Sequence, residues 1–337
     1  MIKSFVRFVV SAATLLALPA VVAAQPVSLK LSFFSSDRTV AYTAAIKPFV
    51  DAVNRDGAGL VNIEVYTSGT LGKVQRELPD LVLSGAADMA FIVPGQNPDR
   101  FVDTGVIELP GLFQSVREAT LTFTELAKGQ ALAGYSDFFV IGVFTTSPDA
   151  IHSRKPIRSI ADLRGQRIRV NNAIQAEVLT KLGARPSVIA FNETAPAIMS
   201  GEIDGALTAV PQLFDVGIGR LTSYHFLLNT SVAPLTLLMN RKALDALSPA
   251  AQAIIRKYSG DWAAASFIDV YEKADKKAFE ELQQDRRRTV VIPSQADLDT
   301  ARAVYATVSD EFAAKSSRHA VLVRRVHEYI AKFRVAK

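Results

Sequence analysis

Four consecutive residues, Arg167-Ile168-Arg169-Val170, carry the clearest chemical signal in this 337-residue chain. Apolar Ile168 and Val170 alternate with two arginines, the period-two pattern of a strand with one buried face. Asn171 and Asn172 stop the strand immediately afterwards. An arginine in the last positions of a strand, beside a polar turn, stands where open α/β sheets present ligands. Its guanidinium is a planar fork of permanent charge that can grip a carboxylate through two parallel hydrogen bonds. The same alternation also describes two arginines on the solvated face of an ordinary strand. Pattern alone favours that second reading for both.

Other chemistry is hard to assemble. The four histidines, His152, His225, His319 and His327, are scattered in sequence, and neither HExxH nor GxSxG occurs. The absence of cysteine excludes disulfides, thiolate zinc sites, iron–sulfur clusters and cysteine nucleophiles. Gly69 to Lys73 is too short for a phosphate loop and has no Ser or Thr after the lysine. Gly217-Ile218-Gly219 has Thr222 where a dinucleotide fingerprint needs glycine. Both read as turns. No cofactor is expected, and no nucleophile or acid–base pair can be built.

The amino terminus reads as an export signal. Lys3 and Arg7 precede an apolar run from Phe8 to Leu18, Pro19 breaks it, and Val22-Ala23-Ala24 supplies small residues before Gln25. Residues 1–24 are therefore expected to be a signal peptide cleaved near Ala24, so that the mature protein is exported. Setting the leader's two cations aside lowers the formal charge from +5 to +3. The remaining basic residues are scattered, apart from Arg286-Arg287-Arg288, so nucleic acid is not an expected partner. No later segment is long and apolar enough to span a bilayer.

The length calls for two domains. Alternating Val27 to Phe33 reads as a first strand, followed by a helix from about Thr39 to Asn54 and a second strand from Leu60 to Tyr66. A helix from Val74 to Leu83 and a strand from Ala87 to Val93 complete a β-α-β-α-β order, which implies a parallel, doubly wound sheet. Pro48 and Pro79 interrupt the two helical patterns. A helix from Val116 to Ala127 and a strand from Phe138 to Phe144 follow, and Thr145 to Ser153 reads as a crossover. A second alternation then begins: the Arg169 strand, a helix from Ala173 to Leu182, a strand Ser187 to Ala190, a helix Glu193 to Ser200 and a strand Ala206 to Ala209. Leu235 to Asn240 should return the chain to the first domain. From Ser248-Pro249, a cap followed by proline at the first helical position, the pattern stays helical to about Gln284 with only Gly260 breaking it. A helix of roughly 35 residues exceeds 50 Å and must run across both domains. Thr289 to Ile292 is a short strand and Asp297 to Phe312 the last clear helix before a basic tail. The expected organisation is 25–145 with 233–247 as domain I, 146–232 with 286–337 as domain II, and 248–285 as the long spanning helix.

Four segments resemble one family in order and at matching spacing. They are VYTSGTLGKVQRELPDLVLSGAADMAF from Val65, ELPGLF from Glu108, RKPIRSIADLRGQRIRV from Arg154 and LGARPSVIAFNETAPAIMSGEIDGA from Leu182. Together they are similar to the DctP-type solute receptors of tripartite ATP-independent periplasmic (TRAP) transporters. The resemblance implies a two-domain periplasmic-binding-protein-like α/β fold, with crossing strands and a long helix spanning both domains, closing on an organic anion. It also implies that the arginine after the "DLxG" turn, here Arg169, pairs with the ligand carboxylate, whereas Arg167 stays a surface residue.

Further positions carry over from the resemblance with less force. Where family members carry asparagine in a "DGQENP"-like run, this chain has Thr208, which keeps a hydroxyl and loses the amide. Asp204 reads as structural. Phe34, Gln96 and Asn97 follow strands of the first domain and face the expected crevice; Phe34 reads equally as core filler and Asn97 as a turn residue. Phe191 and Asn192 face the crevice from the second domain. Ile151-His152-Ser153 replaces a "TNS" common before the family's "RPI". An aromatic or short oxo- or hydroxy-acid fits this set better than a sialic acid. The resemblance thus implies a non-enzymatic, monomeric receptor that delivers an organic acid to integral membrane subunits. An exported ligand sensor and an exported enzyme on the same scaffold are the alternatives.

Overall fold

The computed structural model describes residues 25–335. The expected leader, 1–24, lies outside the described residues. Eleven strands form two sheets among the described residues. The first contains β1 (Val27–Ser32), β2 (Val61–Tyr66), β3 (Met89–Ile92), β4 (Phe138–Thr145) and β10 (Pro234–Asn240), in the order β2-β1-β3-β10-β4. The second contains β5 (Ala150–Ser153), β6 (Arg167–Val170), β7 (Arg185–Val188), β8 (Gly205–Thr208), β9 (Tyr224–Phe226) and β11 (Thr289–Val291), in the order β11-β9-β5-β8-β6-β7. The helices are α1 (Lys47–Asp56), α2 (Leu78–Leu83), α3 (Val116–Lys128), α4 (Ala173–Lys181), α5 (Thr194–Ser200), α6 (Gln212–Asp215), α7 (Arg241–Asp245), α8 (Pro249–Lys257), α9 (Asp261–Gln284), α10 (Gln295–Ala314) and α11 (Ser317–Val335).

Strands β1, β2 and β3 pair in parallel, as the alternation of strands and helices requires. β3 and β10 are buried along their whole length, the pattern of central strands covered on both faces. β10 returns from the second lobe and inserts antiparallel between β3 and β4. Pro48 and Pro79 prove compatible with helix because each lies in the first turn of its helix, where no N–H is needed. A π-helical turn, Tyr42–Ile46, leads into α1.

In the second sheet β6 runs parallel to β7 and β8, while β5 runs antiparallel to β8 and β9. The segment read as a crossover, Thr145 to Ser153, therefore ends in a fully buried strand. Gly205 permits its close approach to β8, since a Cβ there would lie 2.1 Å from the His152 carbonyl oxygen. The strand expected at Ser187 to Ala190 begins two residues earlier, at Arg185. The second core also takes in Val106, Ile107 and Leu109, together with Ala119, Phe123 and Leu126 of α3. The basic tail is helical: Leu322, Val326 and Ile330 of α11 form a buried stripe at four-residue spacing.

The single helix expected over 248–285 is two helices. Ser248 caps α8 by accepting the Ala251 N–H, as its position before Pro249 implies. Gly260 then takes φ +60° and gives its N–H to the Ile141 carbonyl of β4 at 2.8 Å, which turns the chain before α9 begins. The 24 residues of α9 extend about 36 Å and still span both lobes. Phe267 and Tyr271 pack in the first core. Ala278 and Leu282 pack with Ile198, Leu213 and Ile218 beside the second sheet.

Candidate functional site

The carboxyl ends of the parallel strands in both sheets converge on one cavity between the lobes. The first lobe contributes aromatic wall. Phe33 and Phe34 follow β1, and Phe91 belongs to β3; Phe33 meets Phe91 edge-on at 5.5 Å and lies 5.3 Å from Phe34. Phe34 is buried and also borders the cavity, so that it is at once core filler and cavity wall.

Arg169, at the end of β6, is only 3 % exposed. The solvated-face reading fails for it because Phe191 and the opposite lobe cover this end of the strand. Its Nε donates to the Ile189 carbonyl at 2.8 Å and one Nη to Asn171 Oδ1 at 3.1 Å. The guanidinium carbon lies 5.9 Å from the centroid of the Phe191 ring. Burial lowers its pKa to about 10, with Asp149 pulling the other way, so the group stays cationic at neutral pH. Its second Nη has no acceptor among the described residues, and Asn171 Nδ2 is buried without a partner. Arg167, one pleat earlier, is half-exposed and gives its fork to Asp204 at 2.9 and 3.2 Å, which makes it a structural residue.

The structure brings together Arg169, Thr208, Phe34 and Phe191 around the cavity. It does not bring Gln96, Asn97 or Asn192 there. Gln96 Nε2 instead donates to the Asn171 carbonyl at 2.6 Å, bridging the lobes behind the cavity wall. Asn97 closes the turn after β3 through its backbone N–H. Asn192 is exposed on the 3₁₀ turn Phe191–Glu193. In each case the chain turns between the strand end and the residue, so that adjacency in sequence to a strand does not aim the side chain.

The polar residues of the wall that sequence reasoning missed include Asp149, Gln212 and Asp215. Asp149 is 2 % exposed and accepts from Gln175 Nε2 at 2.7 Å. Burial raises its carboxyl to about 7, against the opposing pull of Arg169, Gln175 and Thr146. Gln212 and Asp215 stand on α6, and burial likewise raises Asp215 to about 7. None of the three carries a local sequence signal, and the partners of Asp149 and Asp215 arrive from distant elements.

Two of the scattered histidines meet beneath this floor. His152 Nδ1 and His225 Nδ1 are 2.9 Å apart, and His152 Nε2 is 3.1 Å from the Thr208 carbonyl. Burial lowers His152 to about 4, so the pair is neutral and buttresses the end of β8. Among the described residues no group of His, Asp and Glu is arranged to hold a metal ion.

Two α/β lobes joined by crossing strands, with a cavity where their strand ends meet, define a two-domain solute-binding protein. The chain belongs to bacterial extracellular solute-binding protein family 7, the DctP family, whose model matches residues 31–316. It is similar to protein YiiZ of Salmonella typhimurium, with 28% identity over 243 residues that cover 67% of this chain and 73% of the relative. The fold also matches a TRAP solute-binding protein from Rhodoferax ferrireducens, solved with copurified benzoate, at TM-score 0.87, 23% identity and coverage of 92% and 100% of the two chains. A marine metagenome TRAP solute-binding protein specific for aromatic acids, in complex with metahydroxyphenylacetate, matches at TM-score 0.85 and 24% identity over 91% of this chain and 99% of the other. These findings bear out the DctP-type resemblance, the two-domain fold and the receptor role. Among the described residues no helix is long and apolar enough to cross a membrane.

Proposed function

We propose that this protein is a periplasmic receptor for an aromatic carboxylate, which it hands to the integral membrane subunits of a TRAP transporter. The observation that carries this reading is the buried Arg169 guanidinium, partly unpaired, facing a cavity walled by Phe33, Phe34, Phe91 and Phe191. A carboxylate would complete the fork, where desolvation makes a charge-assisted bidentate contact strongest, while an aryl ring packs on the phenylalanines. The aromatic acids held by the two similar receptors support the same class. Export by cleavage after Ala24 and action as a monomer belong to this reading, as does release of the ligand unchanged.

Thermal unfolding against a panel of organic acids tests it. A ligand at about 100 times its dissociation constant stabilises by roughly 2.7 kcal/mol, which raises Tm by several degrees. Aromatic carboxylates are expected to give that shift and uronates none. A panel in which no aromatic acid moves Tm overturns the proposal, and a recovered ligand of altered mass argues for an enzyme.

Asp149 adds a pH dependence. A carboxylate arriving beside Arg169 brings a second negative charge close to Asp149, so binding takes up a proton wherever Asp149 is ionised. Affinity is expected to stay level below about pH 6 and to fall above about pH 7 by up to about tenfold per unit. Titration calorimetry across this range measures it, and Asp149→Asn should flatten the profile. An affinity that is constant up to about pH 9 excludes the coupling.

A further inference from the structure

The polar residues at the α6 end of the cavity define a second contact, distinct from the carboxylate clamp. The Thr208 hydroxyl spends its proton within the wall: Oγ1 donates to Gln212 Oε1 at 2.5 Å, and the Ala209 N–H reaches the same oxygen at 3.3 Å. With its oxygen doubly engaged, the Gln212 amide is held in one orientation. Its Nε2 has no acceptor among the described residues, on a side chain that borders the cavity. Asp215 stands three residues on along the same helix, a spacing that puts both side chains on one face. Its Oδ1 accepts the Val40 N–H from the opposite lobe at 3.1 Å, and its other oxygen receives no hydrogen bond among the described residues. The cavity thus presents an unused donor and an unused acceptor side by side.

A neighbouring donor and acceptor discriminate among functional groups. An ammonium only donates and leaves Gln212 Nε2 unpaired. A carbonyl, an ether or a second carboxylate only accepts, and meets Asp215 with like polarity. A hydroxyl does both, accepting from the amide and donating to the carboxylate. Leaving either group unpaired in a desolvated cavity costs more than the hydrogen bond returns in water. Arg169 is level with Ala206 of β8, and Thr208, which holds Gln212, lies two residues further along the same strand, so the two contacts are separated along the cavity.

We propose that Gln212 and Asp215 recognise a hydroxyl group on the ligand, that Thr208 positions Gln212, and that the preferred solute is a hydroxyaryl carboxylate. This deepens the aromatic-carboxylate reading and rests on it. The test is calorimetric binding of benzoate, the three hydroxybenzoates and the corresponding methoxybenzoates to the full mature protein at pH 8, where Asp215 is mostly ionised. At least one hydroxybenzoate is expected to bind ten or more times tighter than benzoate, and its methyl ether no tighter than benzoate. Gln212→Leu and Asp215→Asn should each bring the hydroxybenzoate-to-benzoate affinity ratio close to one, and Thr208→Val should lower it while Thr208→Ser keeps it. Benzoate binding as tightly as every hydroxy isomer overturns the inference and leaves the aromatic-carboxylate reading standing, as does a methyl ether that matches its parent phenol. A ratio that survives in both the Gln212 and Asp215 variants also overturns it. If none of these acids binds, the aromatic-carboxylate reading fails first and the inference falls with it.

Discussion

Arg169→Ala is expected to weaken carboxylate binding by about two to three orders of magnitude while leaving a folded protein. Removing one partner of a buried charge pair costs roughly 2–5 kcal/mol at an interface, much of it from the stranded charge. Here the stranded charge is the ligand's, with Asp149 deprived of its counter-charge beside it. Folding should survive because Asp149 can respond by staying protonated: its carboxyl already lies at about 7. Arg169→Lys should recover little, since an ammonium cannot hold the Ile189 carbonyl, Asn171 and a ligand oxygen in one plane. Isothermal titration of the best acid from the panel, with a melting curve for each variant, decides it. Affinity of Arg169→Ala within about threefold of the parent protein would remove the guanidinium from the ligand site.

The largest effect on stability is expected at Asp204, which joins the two strands that carry the site. Its side chain is 1 % exposed, and it accepts the Arg167 N–H at 3.0 Å, the Arg167 fork at 2.9 and 3.2 Å, and Lys155 Nζ at 3.0 Å. Arg154 adds a longer contact at 3.4 Å. The cations are 38–51 % exposed and contribute little alone; removing the carboxylate strands the Arg167 backbone N–H that it accepts. Asp204→Ala should therefore cost about 2–4 kcal/mol. Burial pushes the Asp204 carboxyl up, but hydrogen bonds from the side chain and backbone of Arg167 and from Lys155 outweigh it and hold the group well below the usual range. A depressed carboxyl stabilises the fold above its unfolded value, near pH 4, and that stability drains away as pH falls through the folded value. Urea unfolding at pH 7 and at about pH 3 should show the variant's deficit shrinking at the lower pH. A deficit below about 0.5 kcal/mol at pH 7 would show that the strands need no such tie.

How far the sequence could be read depended on whether the deciding contact was local. Helix starts at Ser248-Pro249 and the breaking residue Gly260 were visible because caps and positive φ are properties of a few neighbouring residues. What Gly260 does, giving its N–H to Ile141, depends on a strand more than a hundred positions away. Arg169 shows the same division. Alternation correctly put it opposite Ile168 and Val170, but a period of two cannot tell a face open to water from one roofed by a second lobe. Only the family resemblance supplied the roof. Asp149 was unreadable because its partners Gln175 and Arg169 arrive from α4 and β6, and Asp215 because the N–H it accepts belongs to Val40 in the other lobe. Gln96 and Asn97 were aimed at the cavity by position alone, and the turn that follows β3 sends them elsewhere.

The place of β10 inside the first sheet has a consequence for the order in which the protein can assemble. Residues 234–240 lie between β3 and β4, so β4 has no strand partner in that sheet until they arrive. By then every strand of the second sheet except β11 has already been translated. The amino-terminal lobe is therefore not a unit that can finish folding as it emerges, and its edges β3 and β4 stay open through nearly a hundred further residues. Pairings this distant along the chain are slow to close. The sheet is completed only when most of the polypeptide is present together.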